Sequence, residues 1–218
     1  MTGESRWTLR QGLCFGSALI ILTLSGAAPA QAFNDPDWPC QQRKVRQLSW
    51  GQMWTGPALP DSARAWRDDE TIDRLVAEIT PRRTPIEVVP GLIADVAASA
   101  QKTRDERLTA LFAGVFARID QERAQIVDGI SRLAKRERER SARIDAMRTD
   151  LVAMRDAAVP EDFDALDAIE ALEDDIAWET RIYDDRRRSF QFVCESPVLL
   201  EKRAFALARI IQGALEGS

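Results

Sequence analysis

Apolar side chains recur at helical spacing through the second half of the chain. Between Gly91 and Val159 there is no proline, and only Gly114 and Gly129 interrupt a run of strong helix formers. Within this run two apolar positions return in each stretch of seven residues, and charged residues break the pattern around residues 135–143. Such a repeat is typical of a helix that packs lengthwise on a second helix, as in a coiled coil.

The run predicts a long helical arm over residues 92–158, and two geometries fit it. One continuous helix of about 60 residues would be about 90 Å long. Alternatively, the chain reverses near residues 135–143, where most side chains are charged. No glycine or proline marks a turn there, which favours the continuous arm.

A break at Val159-Pro160 separates this arm from a return helix predicted over residues 163–192. Because the connection is short, the two helices must run antiparallel. Ser196-Pro197 is typical of a helix start and predicts a C-terminal helix over residues 197–215. The expected fold is all-α, with a long antiparallel helical hairpin on a small helical body within residues 68–218.

Residues 33–67 are rich in proline and tryptophan and predict an irregular strap, since each proline removes a backbone donor. Ser49 is expected to cap a short helix there. The tryptophans of the strap are interpreted as packing anchors against the helical body, and an aromatic ligand platform is the alternative. These tryptophans are Trp38, Trp50, Trp54 and Trp66.

Two further helix starts precede the arm. Residues 68–79 carry apolar side chains at spacings of three and four with acidic residues first, which predicts an amphipathic helix. Thr84 is expected to cap the next helix, with Pro85 at its first position. Pro90-Gly91 should kink or restart that helix.

The first 32 residues have the three zones of a secretory signal peptide. Basic residues come first, residues 13–24 are apolar, and Ala30-Gln31-Ala32 predicts cleavage between Ala32 and Phe33. An apolar run of about a dozen residues is short of the ~20 that span a bilayer, so an uncleaved membrane anchor is the weaker alternative. The predicted location of the secreted chain is the periplasm.

Removal of the signal peptide changes the charge and the cysteine count. Cleavage after Ala32 leaves 218 − 32 = 186 residues. The removed segment contains Arg6, Arg10 and Glu4, so 28 basic and 34 acidic residues remain and the net charge is about −6. This balance argues against a general nucleic-acid binder, which needs a basic face. Cys40 and Cys194 remain. An even pair in an oxidising compartment predicts a disulfide, and two unpaired buried thiols are the alternative.

Histidine is absent, which removes the usual general base, the usual zinc ligand and every Ser-His or Cys-His dyad. No CxxC, P-loop, GxGxxG or EF-hand spacing occurs, so no catalytic residue, cofactor or metal ligand is predicted. Carboxylates at residues 170–175 are the remaining candidates. Glu170 and Asp174 share a helix face and can hold a hard cation, but a solvated acidic face is favoured because no glycine-containing loop shapes a site.

A polar group lies further along the return helix, where Trp178, Glu179 and Tyr183 are close to Arg186 and Arg187. It is interpreted as interhelical packing with surface ion pairs, and a binding patch is the alternative. Together with the four strap tryptophans, Trp178, Tyr183, Arg186 and Arg187 are the candidate interaction residues.

Two stretches, DWPCQQRKV at residues 37–45 and RRRSFQFVCESP at residues 186–197, resemble uncharacterised secreted helical proteins of proteobacteria. The resemblance extends over most of the mature chain. It implies a Gram-negative periplasm and a helical fold, and no activity comes with it. Each stretch contains one of the two cysteines, in agreement with the predicted disulfide.

The expected function is interaction without catalysis: an adapter, scaffold or assembly factor that contacts a protein partner in the cell envelope through the long arm. A holdase-type periplasmic chaperone, which shields unfolded clients on helical arms, is the alternative, and a carboxylate-based hydrolase is the third. The two leading hypotheses differ in what is bound, which is one defined partner or many unfolded chains. Homo-oligomerisation is compatible with either.

Overall fold

The computed structural model describes residues 35–217, apart from the side chain of Ser62. The predicted signal peptide and its cleavage site between Ala32 and Phe33 lie outside these residues. Helices and irregular segments make up the whole of the described part, without a strand. None of the helices in residues 35–217 is long and apolar enough to cross a membrane.

Two very long helices dominate the molecule and confirm the predicted all-α hairpin. The α-helices are α1 (Glu70–Ile79), α2 (Val89–Leu92), α3 (Ala94–Ala97), α4 (Gln101–Ala157) and α5 (Phe163–Glu216). The 3₁₀ helices are Trp50–Gln52, Asp61–Asp68 and Ile86–Val88. A short connection joins α4 to α5, which packs back along α4 as the second arm of the hairpin.

The continuous arm is present as a single helix. α4 runs for 57 residues, about 86 Å at 1.5 Å per residue, and the chain does not reverse at residues 135–143. It begins at Gln101 and not near residue 92, because α2 and α3 are separate short turns. Ile93 between them has a ψ of 1°, outside the helical range, just after Pro90-Gly91.

The structure joins the two helices that were predicted after the connection. α5 runs for 54 residues with Pro197 inside it, so the segments 163–192 and 197–215 belong to one helix. Proline has no N–H, so the carbonyl of Val193 loses its helical hydrogen bond, and such a break costs about 3 kcal/mol. Pro197 and Leu200 are buried, and α5 packs on α4 on both sides of the proline. This burial keeps the helix continuous.

The body of the fold surrounds the first half of α4. α1 and the 3₁₀ helix Asp61–Asp68 pack on this half, and the last turns of α5 complete the core. Trp54 stacks on Phe112 of α4 with 4.0 Å between the ring centroids. Gly114, two residues further along α4, lets the ring of Trp66 approach the helix backbone. The second half of α4 and the first half of α5 extend together from this body, and we call these two helix halves the arm.

A half-buried arginine ties α5 to the end of α1. The guanidinium of Arg203 donates hydrogen bonds to the carbonyl oxygens of Thr80 at 2.7 Å and Thr84 at 2.8 Å, and also to that of Ile79. Carbonyls at the C-terminal end of a helix lack partners inside the helix, so they are available to such a donor. Burial lowers the pKa of Arg203 below its ordinary value.

Two predicted helix caps do not form. Ser49 makes no capping hydrogen bond, and the chain after it makes only the 3₁₀ helix Trp50–Gln52 in place of a longer helix. The hydroxyl of Thr84 donates to the carbonyl oxygen of Glu78 at 2.6 Å, so it does not cap the segment that follows. This hydrogen bond uses the hydroxyl that would have capped the next helix, and such local bonds compete with capping. Pro85 is followed by the 3₁₀ turn Ile86–Val88.

Asp69 is the N-cap of α1, so this helix starts after Asp69 and not at the predicted Asp68. Its Oδ1 accepts hydrogen bonds from the backbone N–H groups of Thr71 at 3.0 Å and Ile72 at 3.2 Å. The Nε of Arg107 in α4 donates to Oδ2 at 2.9 Å. Burial raises the pKa of Asp69, but these hydrogen bonds and the charge of Arg107 outweigh it, so the pKa lies below its ordinary value.

Replacement of Asp69 separates its capping role from its charge. We expect Asp69→Ala to lower the free energy of unfolding at pH 7 by about 1–2 kcal/mol, and Asp69→Asn by less, since asparagine also caps. Because the folded-state pKa is lowered, the carboxylate adds stability above its unfolded pKa of about 3.9, and this is lost as the pH falls through the folded pKa. Urea unfolding should show wild type and Asp69→Asn converging below about pH 4. A pH-independent difference would contradict this.

Candidate interaction surfaces

The strap is fastened to α5 at the predicted cysteine pair. The Sγ atoms of Cys40 and Cys194 lie at disulfide distance, 1.97 Å apart, with 5.5 Å between the Cα atoms. Beside them, the side-chain amide of Gln42 donates a hydrogen bond to the carbonyl oxygen of Cys194. Both contacts fall within one turn of Pro197, so the strap crosses α5 where its hydrogen-bond ladder is interrupted.

Polar contacts hold the same strap along α4. The guanidinium of Arg46 binds both carboxylate oxygens of Asp128, with 3.0 Å from Nε to Oδ1, and this pairing lowers the pKa of Asp128. The backbone N–H of Leu48 donates to Asp120 at 2.6 Å. The side chain of Arg123, which is only 5% exposed, donates to the carbonyl oxygen of Val45. The strap is thus bound to side chains of α4 through its own backbone and through the side chain of Arg46.

The strap tryptophans occupy two different environments. Trp54 and Trp66 are buried in the body, as expected of packing anchors. Trp38 is half-buried, with its indole N–H donating to the carbonyl oxygen of Gln42 at 2.6 Å. Trp50 is 41% exposed and lies beside a cleft of about 410 Å³ that Trp66 also lines. The four rings therefore do not form a single aromatic platform.

A polar seam joins the two helices in the middle of the hairpin. Glu137 of α4 is 3% exposed, and its Oε1 lies 3.0 Å from Nη1 of Arg186 in α5. Arg140 of α4 lies beside Glu137 and forms an ion pair with Glu179 of α5. Tyr183 is half-buried on the same helix. Of the predicted polar group, the structure thus brings Glu179 and Arg186 into interhelical contact.

The remaining members of that group lie on the surface. Trp178 is 59% exposed, and Arg187 is also exposed. The carboxylates at residues 170–175 are exposed as well, and Glu173 pairs with Arg155 of α4 at 2.6 Å. No group of three or more Cys, Asp or Glu side chains within residues 35–217 is placed to hold a metal ion.

Apolar side chains are exposed around the end of the arm. Val152 near the end of α4, Val159 in the connection and Leu166 in the first turns of α5 are 57%, 55% and 40% exposed. We call these three residues the tip patch. They were not identified as functional residues from the sequence. The sequence does carry a sign of their exposure. Val152 and Val159 are apolar but do not fall on the two positions of the seven-residue repeat, so they are not expected to pack between the two helices.

Charge is segregated along the arm. Residues 145–179, the distal part, contain twelve acidic and two basic side chains. Residues 132–144 and 180–192, which form the part nearer the body, contain ten basic and four acidic side chains. The overall negative charge of the chain therefore conceals an acidic distal part and a basic proximal part.

Comparison of the chain with protein-family models, curated proteins and solved structures finds no match. The inference of function therefore starts from the geometry of the described residues. Three features of that geometry are available: the fastened strap, the polar seam of the arm, and the exposed residues along the arm and at its end.

Proposed function

We propose that this chain is a non-enzymatic periplasmic interaction protein, an adapter, scaffold or assembly factor, whose arm presents the tip patch to a protein partner in the cell envelope. The exposure of Val152, Val159 and Leu166 at the end of a projecting hairpin supports this most directly. Apolar surface that stays exposed on a folded domain is a common mark of a protein contact.

The energetics of the tip favour a partner over the isolated chain. Burying a valine or leucine side chain is worth about 1.5–3 kcal/mol relative to leaving it exposed. The tip residues gain only part of this in the hairpin itself, since Val152, Val159 and Leu166 remain 57%, 55% and 40% exposed. A partner that covers the exposed part of all three side chains would recover about 2–4 kcal/mol, so further contacts are needed to reach a micromolar affinity.

The proposed compartment is supported by the cysteine pair. A disulfide between Cys40 and Cys194 persists where thiols are oxidised, as in the bacterial periplasm. The predicted signal peptide and the resemblance to secreted proteobacterial proteins point to the same compartment.

Substitution at the tip tests the proposed contact. We expect Val152→Ser/Val159→Ser to abolish a defined cross-linked complex that wild-type protein forms in living cells, without a change in thermal midpoint. Val88→Ser is the matched control, since Val88 is 46% exposed on the body, and it should leave the complex intact. Equal yields of the complex from wild type and the tip variant would overturn the proposed role of the tip patch.

A second measurement separates an adapter from a holdase. Purified protein at near-stoichiometric amounts should not suppress aggregation of a thermally unfolded model client if the arm binds one defined partner. Suppression that is lost in Val152→Ser/Val159→Ser, with no defined complex in cells, would assign the same surface to a holdase.

A further inference from the structure

One face of α5 is exposed along the whole length of the arm. It consists of residues three or four apart, which at about 100° per residue fall within about 80° of the helix circumference. Ile169 and Ile176 lie on the opposite side, toward α4. We call the exposed residues the outer stripe, and they are Phe163, Asp167, Glu170, Asp174, Trp178, Arg181, Asp185, Arg188 and Phe192.

The three aromatic residues of the outer stripe are highly exposed. Phe163, Trp178 and Phe192 are 74%, 59% and 70% exposed. Trp178 stands near the centre of the stripe, fifteen residues after Phe163 and fourteen before Phe192. Because these rings make large apolar contacts when covered, their regular placement on one solvent-facing helix face indicates a surface that is covered in an assembly.

The charges of the outer stripe are arranged around Trp178. Three residues of the stripe lie between Phe163 and Trp178, and all three are acidic: Asp167, Glu170 and Asp174. Between Trp178 and Phe192 the stripe carries Arg181 and Arg188, together with Asp185, which pairs with Arg188 in the same helix. Acidic and basic halves therefore lie on either side of a central tryptophan, in the same order as the charge segregation of the whole arm.

Two copies of this stripe that run antiparallel place the acidic half of each against the basic half of the other. In an antiparallel pair centred on Trp178, Asp174 faces the partner's Arg181, and Asp167 faces the partner's Arg188. Phe163 then meets the partner's Phe192, and the two Trp178 rings meet at the two-fold axis. We propose that two copies of this chain dimerise antiparallel through the outer stripes of their α5 helices.

A second copy explains the pattern better than an unrelated partner does. A closed two-fold interface requires that residue i contact residue j while j contacts i, and the stripe satisfies this for two charge pairs and one aromatic pair. The same register places Glu170 against the partner's Asp185, a like-charged pair whose repulsion Arg188 reduces because it pairs with Asp185 in the same helix. A parallel pair would place Asp167 against Asp167 and would bring the two acidic distal parts together. Phe163 lies between Val159 and Leu166, so the outer stripe adjoins the tip patch. The tip substitutions at Val152 and Val159 change no residue of the stripe, so the two proposals are tested separately.

The size of the stripe sets the expected strength of the dimer. From Phe163 to Phe192 the stripe is about 44 Å long, and one helix face is about 10 Å wide, so each copy buries on the order of 400–450 Å². A standard interface buries about 800 Å² per partner, so we expect a weak dimer, in the micromolar range. Its charge pairs are exposed at the rim and are screened by salt.

Complementary charge reversals test the pairing on the purified full chain. Asp167→Lys/Asp174→Lys makes both halves of the stripe basic, and Arg181→Glu/Arg188→Glu makes both halves acidic. Each variant alone should be monomeric in sedimentation velocity at concentrations where the wild type is a dimer. Mixed in equal amounts, the two variants should form a heterodimer, because each acidic half again faces a basic half.

Three results would overturn the proposal. They are a wild-type chain that stays monomeric up to about 0.5 mM at low salt, reversal variants that dimerise as well as the wild type, and a mixture of variants that remains monomeric. The variants must match the wild type in helix content and thermal midpoint. We expect this match because all four substituted positions are exposed. The wild-type dissociation constant should also rise about tenfold or more in 1 M salt.

Cross-linking tests the position of the axis. Trp178→Cys places one thiol from each copy at the two-fold axis, so mild oxidation should give a covalent dimer within minutes. Ala153→Cys, an exposed position on α4, is the control and should cross-link much more slowly. Equal rates for the two variants would remove Trp178 from the axis and overturn the antiparallel register.

Discussion

Replacing both Cys40 and Cys194 with serine is expected to lower the free energy of unfolding by about 4–5 kcal/mol. The two residues are 154 positions apart, so their link closes nearly the whole domain into one loop of the unfolded chain. In the chain-entropy model, the restriction of that unfolded chain is the main source of stabilisation. For a domain whose total stability is typically 5–15 kcal/mol, this is a large share. Urea unfolding followed by circular dichroism measures it.

A reducing agent supplies the matched control. Dithiothreitol should destabilise the wild type by about the same amount as the double substitution, and it should leave Cys40→Ser/Cys194→Ser unchanged. A loss below about 1 kcal/mol in both measurements would show that the chain is held equally well without the covalent link. In that case the polar contacts of the strap, such as Arg46 with Asp128, would carry its attachment.

The second large effect is expected at Gly114 of α4. A Cβ atom added there would lie 2.6 Å from Cγ2 of Val76 and 2.8 Å from Cδ2 of Trp66, closer than carbon atoms approach. Both neighbours are buried, so the body must shift to admit a methyl group. Overpacking costs about 1–3 kcal/mol, and more when buried rings must move, whereas alanine gains only about 1 kcal/mol in helix propensity. We expect Gly114→Ala to lower the free energy of unfolding by about 2 kcal/mol.

Gly129 of the same helix provides a control of opposite sign. An added Cβ there has Arg132 Nη2 at 3.8 Å as its nearest neighbour, an ordinary contact. Gly129→Ala should therefore raise the free energy of unfolding by up to about 1 kcal/mol. Urea unfolding of both variants decides the matter. Stabilisation by both substitutions would contradict the close approach of Trp66 to α4.

The long helices show where local sequence information is sufficient. In α4 the helix formers, the missing prolines and the repeat agree, so its continuity through residues 135–143 was predicted. In α5 the local signal was misleading, because Ser196-Pro197 is a common helix start. The helix continues there with Pro197 buried, and burial by segments distant in sequence is not visible from the local pattern.

The surfaces of the molecule were harder to predict for the same reason. The cysteine pair followed from the count and the compartment. The path of the strap did not, because pairs such as Arg46 with Asp128 join positions 82 residues apart. The exposure of Val152 depends on where α4 ends relative to α5. Trp178 was singled out, but its central place on an outer stripe became visible only once the structure showed which face of α5 packs on α4 and which face is exposed.

The strap also determines how stiff the molecule is. Pro197 removes one backbone hydrogen bond from α5 about 50 Å from the end of the arm, at 1.5 Å for each intervening residue. At this point the disulfide and Gln42 brace α5 from outside, while uninterrupted α4 supports it from inside. Because α5 is held on two sides at the proline, we expect the arm to resist bending there and to keep its direction relative to the body.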